Sequence, residues 1–97
     1  MITQATSASA AAITLVGFPG QRQKIEQITW SYAAAPSGGR LSSTGLDGDE
    51  LDIDITAGGP GGLALPRSSY GRPGQSVTVT LASGGTTAKL NVFSEAE

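Results

Sequence analysis

Histidine and cysteine are both absent from this 97-residue chain. The first absence removes the ordinary serine–histidine base pair, and the second removes a thiolate nucleophile and every disulfide. A chain without disulfides fits the bacterial cytosol, or a particle assembled there. Charge is also scarce, at 14% of residues against the usual quarter. The net charge of −2, with six basic residues and no basic stripe, excludes a surface that neutralises a run of phosphates. No apolar stretch reaches the eighteen or so residues that span a bilayer as a helix. The start, Met1-Ile2-Thr3-Gln4, has neither the basic segment nor the apolar core of an export signal. It reads as a chain made and used without secretion.

What is present is a rhythm. Ile28-Thr29-Trp30-Ser31-Tyr32, Leu51-Asp52-Ile53-Asp54-Ile55 and Val77-Thr78-Val79-Thr80-Leu81 place apolar side chains at every second position. A strand turns successive side chains to opposite faces, so this is the pattern of sheets with one buried and one wet surface. The 14 glycines gather between these runs, as turns require. No window sustains a period of 3.6, so helix is not expected. Strands are expected at 13–16, 24–33, 40–44, 49–56, 63–65, 76–82 and 86–93. Asp47-Gly48 marks a hairpin between the third and fourth, and Ser83-Gly84-Gly85 one between the last two. Residues 66–74, with two prolines and two glycines around Tyr70, read as a loop crossing between sheets. Seven strands at this spacing predict a single all-β domain, an immunoglobulin-like antiparallel sandwich over residues 13–97. Residues 1–12, rich in Thr, Ser and Ala, predict a flexible N-terminal arm, either disordered or ordered on a neighbour.

Catalysis is left with carboxylates. Asp47, Asp49, Glu50, Asp52 and Asp54 cluster, and Asp52 and Asp54 share one strand face roughly 6–7 Å apart. That separation overlaps the acid/base spacing of glycosidases. Both face away from the apolar side, with no cleft to raise either pKa, which favours a solvated face over an enzyme. The same cluster lacks the twelve-residue frame of an EF-hand calcium loop. No catalytic residue, cofactor or metal ligand is assigned. Trp30 and Tyr32 suit either a sugar-stacking platform or a core stripe, and Ile28 on the same face favours the core. Tyr70 stands between Arg67 and Arg72. That composition fits a recognition surface, or an aromatic folded back to plug one end of the sandwich.

The order of Trp30-Ser31-Tyr32 with Pro36-Ser37-Gly38-Gly39, then Asp54 to Gly61, Val77 to Gly85 and Lys89-Leu90-Asn91-Val92 resembles short virion proteins of tailed bacteriophages. Among these it is most similar to head decoration (cement) proteins. The resemblance implies a non-enzymatic β-sandwich on the capsid exterior that bridges neighbouring major capsid proteins and stabilises the head. It also implies a homo-oligomer, a trimer by the habit of such proteins, with no nucleic-acid or membrane partner. The expected contacts are the arm, with Ile2, Thr3 and Gln4, and the loop carrying Arg67, Tyr70 and Arg72. On this view deleting residues 2–12 lowers capsid occupancy and leaves the fold intact. The rival assignments are a carbohydrate or host-surface binding module of a virion, and a tail or neck component.

Overall fold

The alternating runs form strands, and the strands fold back on one another as a rolled-up long hairpin. The computed structural model describes residues 2–47 and 50–96, with side chains described throughout except at 64–69. Its strands are β1 (Ile2–Ser7), β2 (Ala10–Leu15), β3 (Gln23–Tyr32), β4 (Gly39–Thr44), β5 (Asp52–Ile55), β6 (Gly59–Tyr70), β7 (Val77–Ala82) and β8 (Ala88–Ala96). The front sheet has the order β1-β8-β3-β6 and the back sheet β2-β7-β4-β5. Every pairing is antiparallel. First pairs with last, second with seventh, third with sixth and fourth with fifth. That is the order of an eight-stranded jelly roll.

The all-β antiparallel sandwich thus forms as expected, with three differences. Its connectivity is that of a jelly roll rather than immunoglobulin-like, and it has eight strands rather than seven. Residues 2–12, expected as an arm, supply β1 and the first half of β2. Ile2–Ser7 pairs with Phe93–Ala88, and Ala10–Ala12 with Ala82–Thr80. Small side chains suit this position: Ala11 is buried, and Ala5 packs against the core opposite Leu90. Third, β7 and β8 are not a hairpin. β7 lies between β2 and β4, and β8 lies between β1 and β3 in the other sheet. The turn at Ser83–Thr86 arches across the core instead of closing a ladder.

The core lies between the sheets. Ile28, Leu41, Val77, Val79, Leu81, Leu90 and Val92 are wholly buried. Ile25 joins them although strict alternation from Ile28 would turn it outward. The register slips at Glu26, so that Ile25 faces Ser94 while Gln27 faces Phe93. This bulge keeps both isoleucines inside. On the β6 side the slip is larger: Gln27 faces Ala64 and Ile25 faces Ser69, leaving 65–68 without partners on β3. The chain does break after β5, at 56–58, but Gly59–Gly62 and residues 66–70, expected as turn and loop, lie within one strand at the edge of the sheet, where proline is tolerated.

Two aromatic positions close the front sheet. Tyr32 is buried and donates its hydroxyl to the Ala82 carbonyl across the core at 2.6 Å. Burial pushes that phenol above its usual pKa. Trp30 is half-buried on the inner face, and its indole lies where a Cβ on Gly61 would be, 2.5 Å from Nε1. It packs on the core and is no exposed platform.

The radius of gyration of 13.0 Å is that of a single compact domain of about this length.

Candidate functional site

Two surfaces carry the residues that composition singled out. The first is an end of the sandwich. Antiparallel order puts the connections 16–22, 45–51 and 71–76 at one end, and the links 8–9, 33–38, 56–58 and 83–87 at the other. Two short motifs build the first end. Phe18-Pro19-Gly20-Gln21 and Arg72-Pro73-Gly74-Gln75 each close with a backbone bond from the fourth residue to the first, at 3.0 Å. Proline presets the second position, and Gly20 and Gly74, both with φ +75°, take the left-handed third position of a type II turn. The turns are bonded together, Gly74 N–H donating to the Gln21 carbonyl at 2.9 Å. Gln23 donates its side-chain amide to the Val16 carbonyl, and Gly71 N–H donates to the Gln23 carbonyl, each at 2.8 Å. Asp47 N–H donates to the Tyr70 carbonyl, drawing in the third loop.

This frame exposes apolar and cationic groups together. Val16 and Phe18 are 59% and 52% exposed. The Arg22 guanidinium sits 3.8 Å above the Tyr70 ring, a cation–π stack. Arg72 is exposed, 3.9 Å from the Asp47 carboxylate. Tyr70 therefore ends a strand and pairs with Arg22, rather than standing in a loop among its sequence neighbours. The Arg67 side chain lies outside the described residues. Sequence reasoning missed Val16, Phe18 and Arg22. The repeated aromatic- or arginine-led Pro-Gly-Gln turn was the available signal.

The second surface is the outer face of the front sheet. Ile2 and Gln4 point outward from β1, whereas Thr3 lies on the inner side opposite Val92. Across the strands run three rows: Ile2–Phe93–Gln27, Gln4–Asn91–Thr29 and Thr6–Lys89–Ser31. A depression of about 290 Å³ is lined by Gln4, Ala5, Thr6, Ser31, Lys89 and Asn91. The residues expected to act together thus divide. β1 lies on one edge of the front sheet, and Tyr70 on β6 lies on the other.

The carboxylate cluster takes structural roles. Glu50 accepts the Leu46 N–H at 2.8 Å and holds the 45–51 connection. Gly48 and Asp49, where the hairpin tip was expected, lie outside the described residues. Asp52 and Asp54 are exposed on the outer face of β5. Arg40 donates to both oxygens of Asp52, at 2.6 and 2.8 Å. That fork holds the Asp52 carboxyl below its usual pKa and raises Arg40, so Asp52 stays ionised rather than serving as a proton donor. Its contribution to stability is present above the unfolded carboxylate pKa and fades as pH falls through the lower folded value. Asp52→Asn is expected to flatten the acid limb of thermal midpoint against pH, followed by circular dichroism from about pH 7 to about pH 2. An unchanged limb would mean that the pair contributes nothing. Among the described residues no group of three or more acidic side chains gathers as metal ligands.

No protein-family model matches the chain. No curated protein matches it in sequence. Solved structures do match. A CBM4 structure, a carbohydrate-binding module, superposes with TM-score 0.50 at 13% identity, covering 91% of this chain and 61% of that one. The chain thus spans about three fifths of that relative's length. A de novo designed double-stranded β-helix matches with TM-score 0.42 and 12% identity, over 98% and 99% of the two chains. The virus-like particle of the extra small virus of the giant freshwater prawn Macrobrachium rosenbergii matches with TM-score 0.41 and 13% identity, over 99% and 76%. At these identities the first likeness shows a β-sandwich fold and nothing finer.

Proposed function

We propose that this protein is a non-enzymatic head decoration (cement) protein of a tailed phage, docking through the end that carries Val16, Phe18, Arg22, Tyr70 and Arg72. The observation that carries this reading is the exposure of Phe18 and Val16 beside the Arg22–Tyr70 stack, on loops cross-linked by backbone hydrogen bonds. Aromatic residues and arginine are the groups that dominate protein–protein binding energy, and here the frame holds them ready before a partner arrives. The resemblance drawn from the order of strand and turn motifs implies the partner in this proposal: the major capsid protein on the outside of an assembled head. Association of several copies, a trimer in the simplest case, would place several such ends on one capsomer.

Mechanism is then mass action. A protein that binds only the expanded lattice stabilises that lattice by its own binding free energy, and many copies on one shell add. Co-sedimentation with empty phage heads, before and after expansion, tests this. The expected result is selective binding to expanded heads. Phe18→Ser combined with Tyr70→Ser should weaken it by about tenfold to a hundredfold, as loss of central aromatic anchors does. A wild-type protein that sediments with neither form of head overturns the proposal.

A further inference from the structure

The outer face of the front sheet holds a second surface that shell docking does not use. Gln4 and Asn91 face each other across β1 and β8, with Thr29 next in the row on β3. One row along, Thr6, Lys89 and Ser31 repeat the arrangement. Five of these side chains, all but Thr29, border the 290 Å³ depression. None of the five makes a side-chain hydrogen bond or ion pair to another described residue of the chain. Beyond Thr29 the row reaches Gly62 on β6, which has no side chain to close the face at that edge. Beyond Asn91 along β8 stands Phe93, half-exposed on the same face.

The chemistry of this face narrows its occupant. Each primary amide offers donors and an acceptor side by side, and each hydroxyl offers both in one atom. Such groups match a ligand built of hydroxyls, whose every oxygen both gives and takes a hydrogen bond. Phe93 adds an apolar ring against which a pyranose ring's C–H face can rest. Lys89 is the only charged residue in the lining. A single cation is too little for a polyphosphate backbone. The depression is lined mostly by polar groups, and the apolar pair of this face, Ile2 and Phe93, stands one row outside it. We infer that the Gln4–Asn91–Lys89 depression binds an acidic, uronate-type saccharide, its hydroxyls taken by the amides and one carboxylate by Lys89. A decoration protein with this site would present a glycan-binding face on the wall of the sandwich while its end holds the shell.

Two-dimensional amide NMR of the full chain tests this. The probes are trigalacturonate and the neutral trisaccharide maltotriose, each to about 10 mM, which covers the millimolar range of small ligands. Shifts confined to residues 4–6, 29–31 and 89–93, larger with the acidic sugar, are expected. Lys89→Gln should lower the affinity for trigalacturonate about tenfold, to the level of maltotriose, the loss of one charge-assisted hydrogen bond. Gln4→Ala combined with Asn91→Ala should abolish both responses. Their unperturbed spectra serve as the check on folding, and Lys89→Gln alone keeps the test alive if the double variant misfolds. Absence of shifts with either sugar overturns the inference. So do shifts that fall on 16–22 and 70–75, or an acid preference that survives Lys89→Gln. Binding of these variants to phage heads should be unchanged, which separates failure of this site from failure of the docking end.

Discussion

A chain lacking residues 2–12 is expected to lose its cooperative unfolding transition. The deletion strips β1 from β8 and removes the Ala10–Ala12 half of the pairing between β2 and β7. β8 carries Ala88, Leu90 and Val92, all wholly buried, and would become an edge strand with one side of its backbone bare. Each lost backbone hydrogen bond is worth about 1 kcal/mol net, and the removal of Ala5 and Ala11 opens the core beside it. Summed over two strands, the loss reaches the 5–15 kcal/mol that holds a whole domain. Deleting 2–7 alone leaves β2 in place and should lower the thermal midpoint rather than erase the transition. Circular dichroism on heating separates these outcomes. A truncated protein that melts at the wild-type temperature would mean that β1 is dispensable, and would restore the arm expected from sequence.

Gly45→Ala is expected to destabilise by about 2–4 kcal/mol, most of it steric. Gly45 has φ +93°, where side chains are strained, and an added Cβ would collide with the Ser76 carbonyl oxygen. That oxygen belongs to the backbone, so relief requires the 45–51 and 71–76 connections to part. Leu46, buried and bridged to Gly71, would be drawn out with them. Gly20→Ala provides the control. Gly20 also has a positive φ, +75°, but an added Cβ meets nothing within 4 Å. It should cost only the conformational term, about 1 kcal/mol. Urea midpoints of the two variants give the steric part by difference. Equal midpoints would show that the loops at this end are not held against each other. Because those loops frame Phe18 and Tyr70, Gly45→Ala should also weaken head binding even where the protein stays folded.

The end at which both effects meet was half legible beforehand. Pro-Gly at 19–20 and 73–74 marked turns, and Tyr70 with Arg72 suggested recognition. Arg22 over the Tyr70 ring was invisible, because 48 positions of chain separate the two and only the β3–β6 pairing brings them together. The outer-face row of Gln4, Asn91 and Thr29 was hidden for the same reason. Its members lie on three strands, and none stands out among its own neighbours.

Sequence by itself determined the sheet-forming character of the chain, the side each residue of β5 and β7 turns to the core, and the absence of histidine and cysteine chemistry. These are local properties: a period of two sorts faces whether or not the partner strand is known. Only the tertiary structure decided which strands pair, that Ser83–Thr86 arches between sheets, and that a weakly apolar N-terminus is a strand. Pairing depends on contacts between residues far apart in the chain. Ala5 and Ala11 enter the core because Leu90 and Leu81 stand opposite them, not because of anything in residues 2–12.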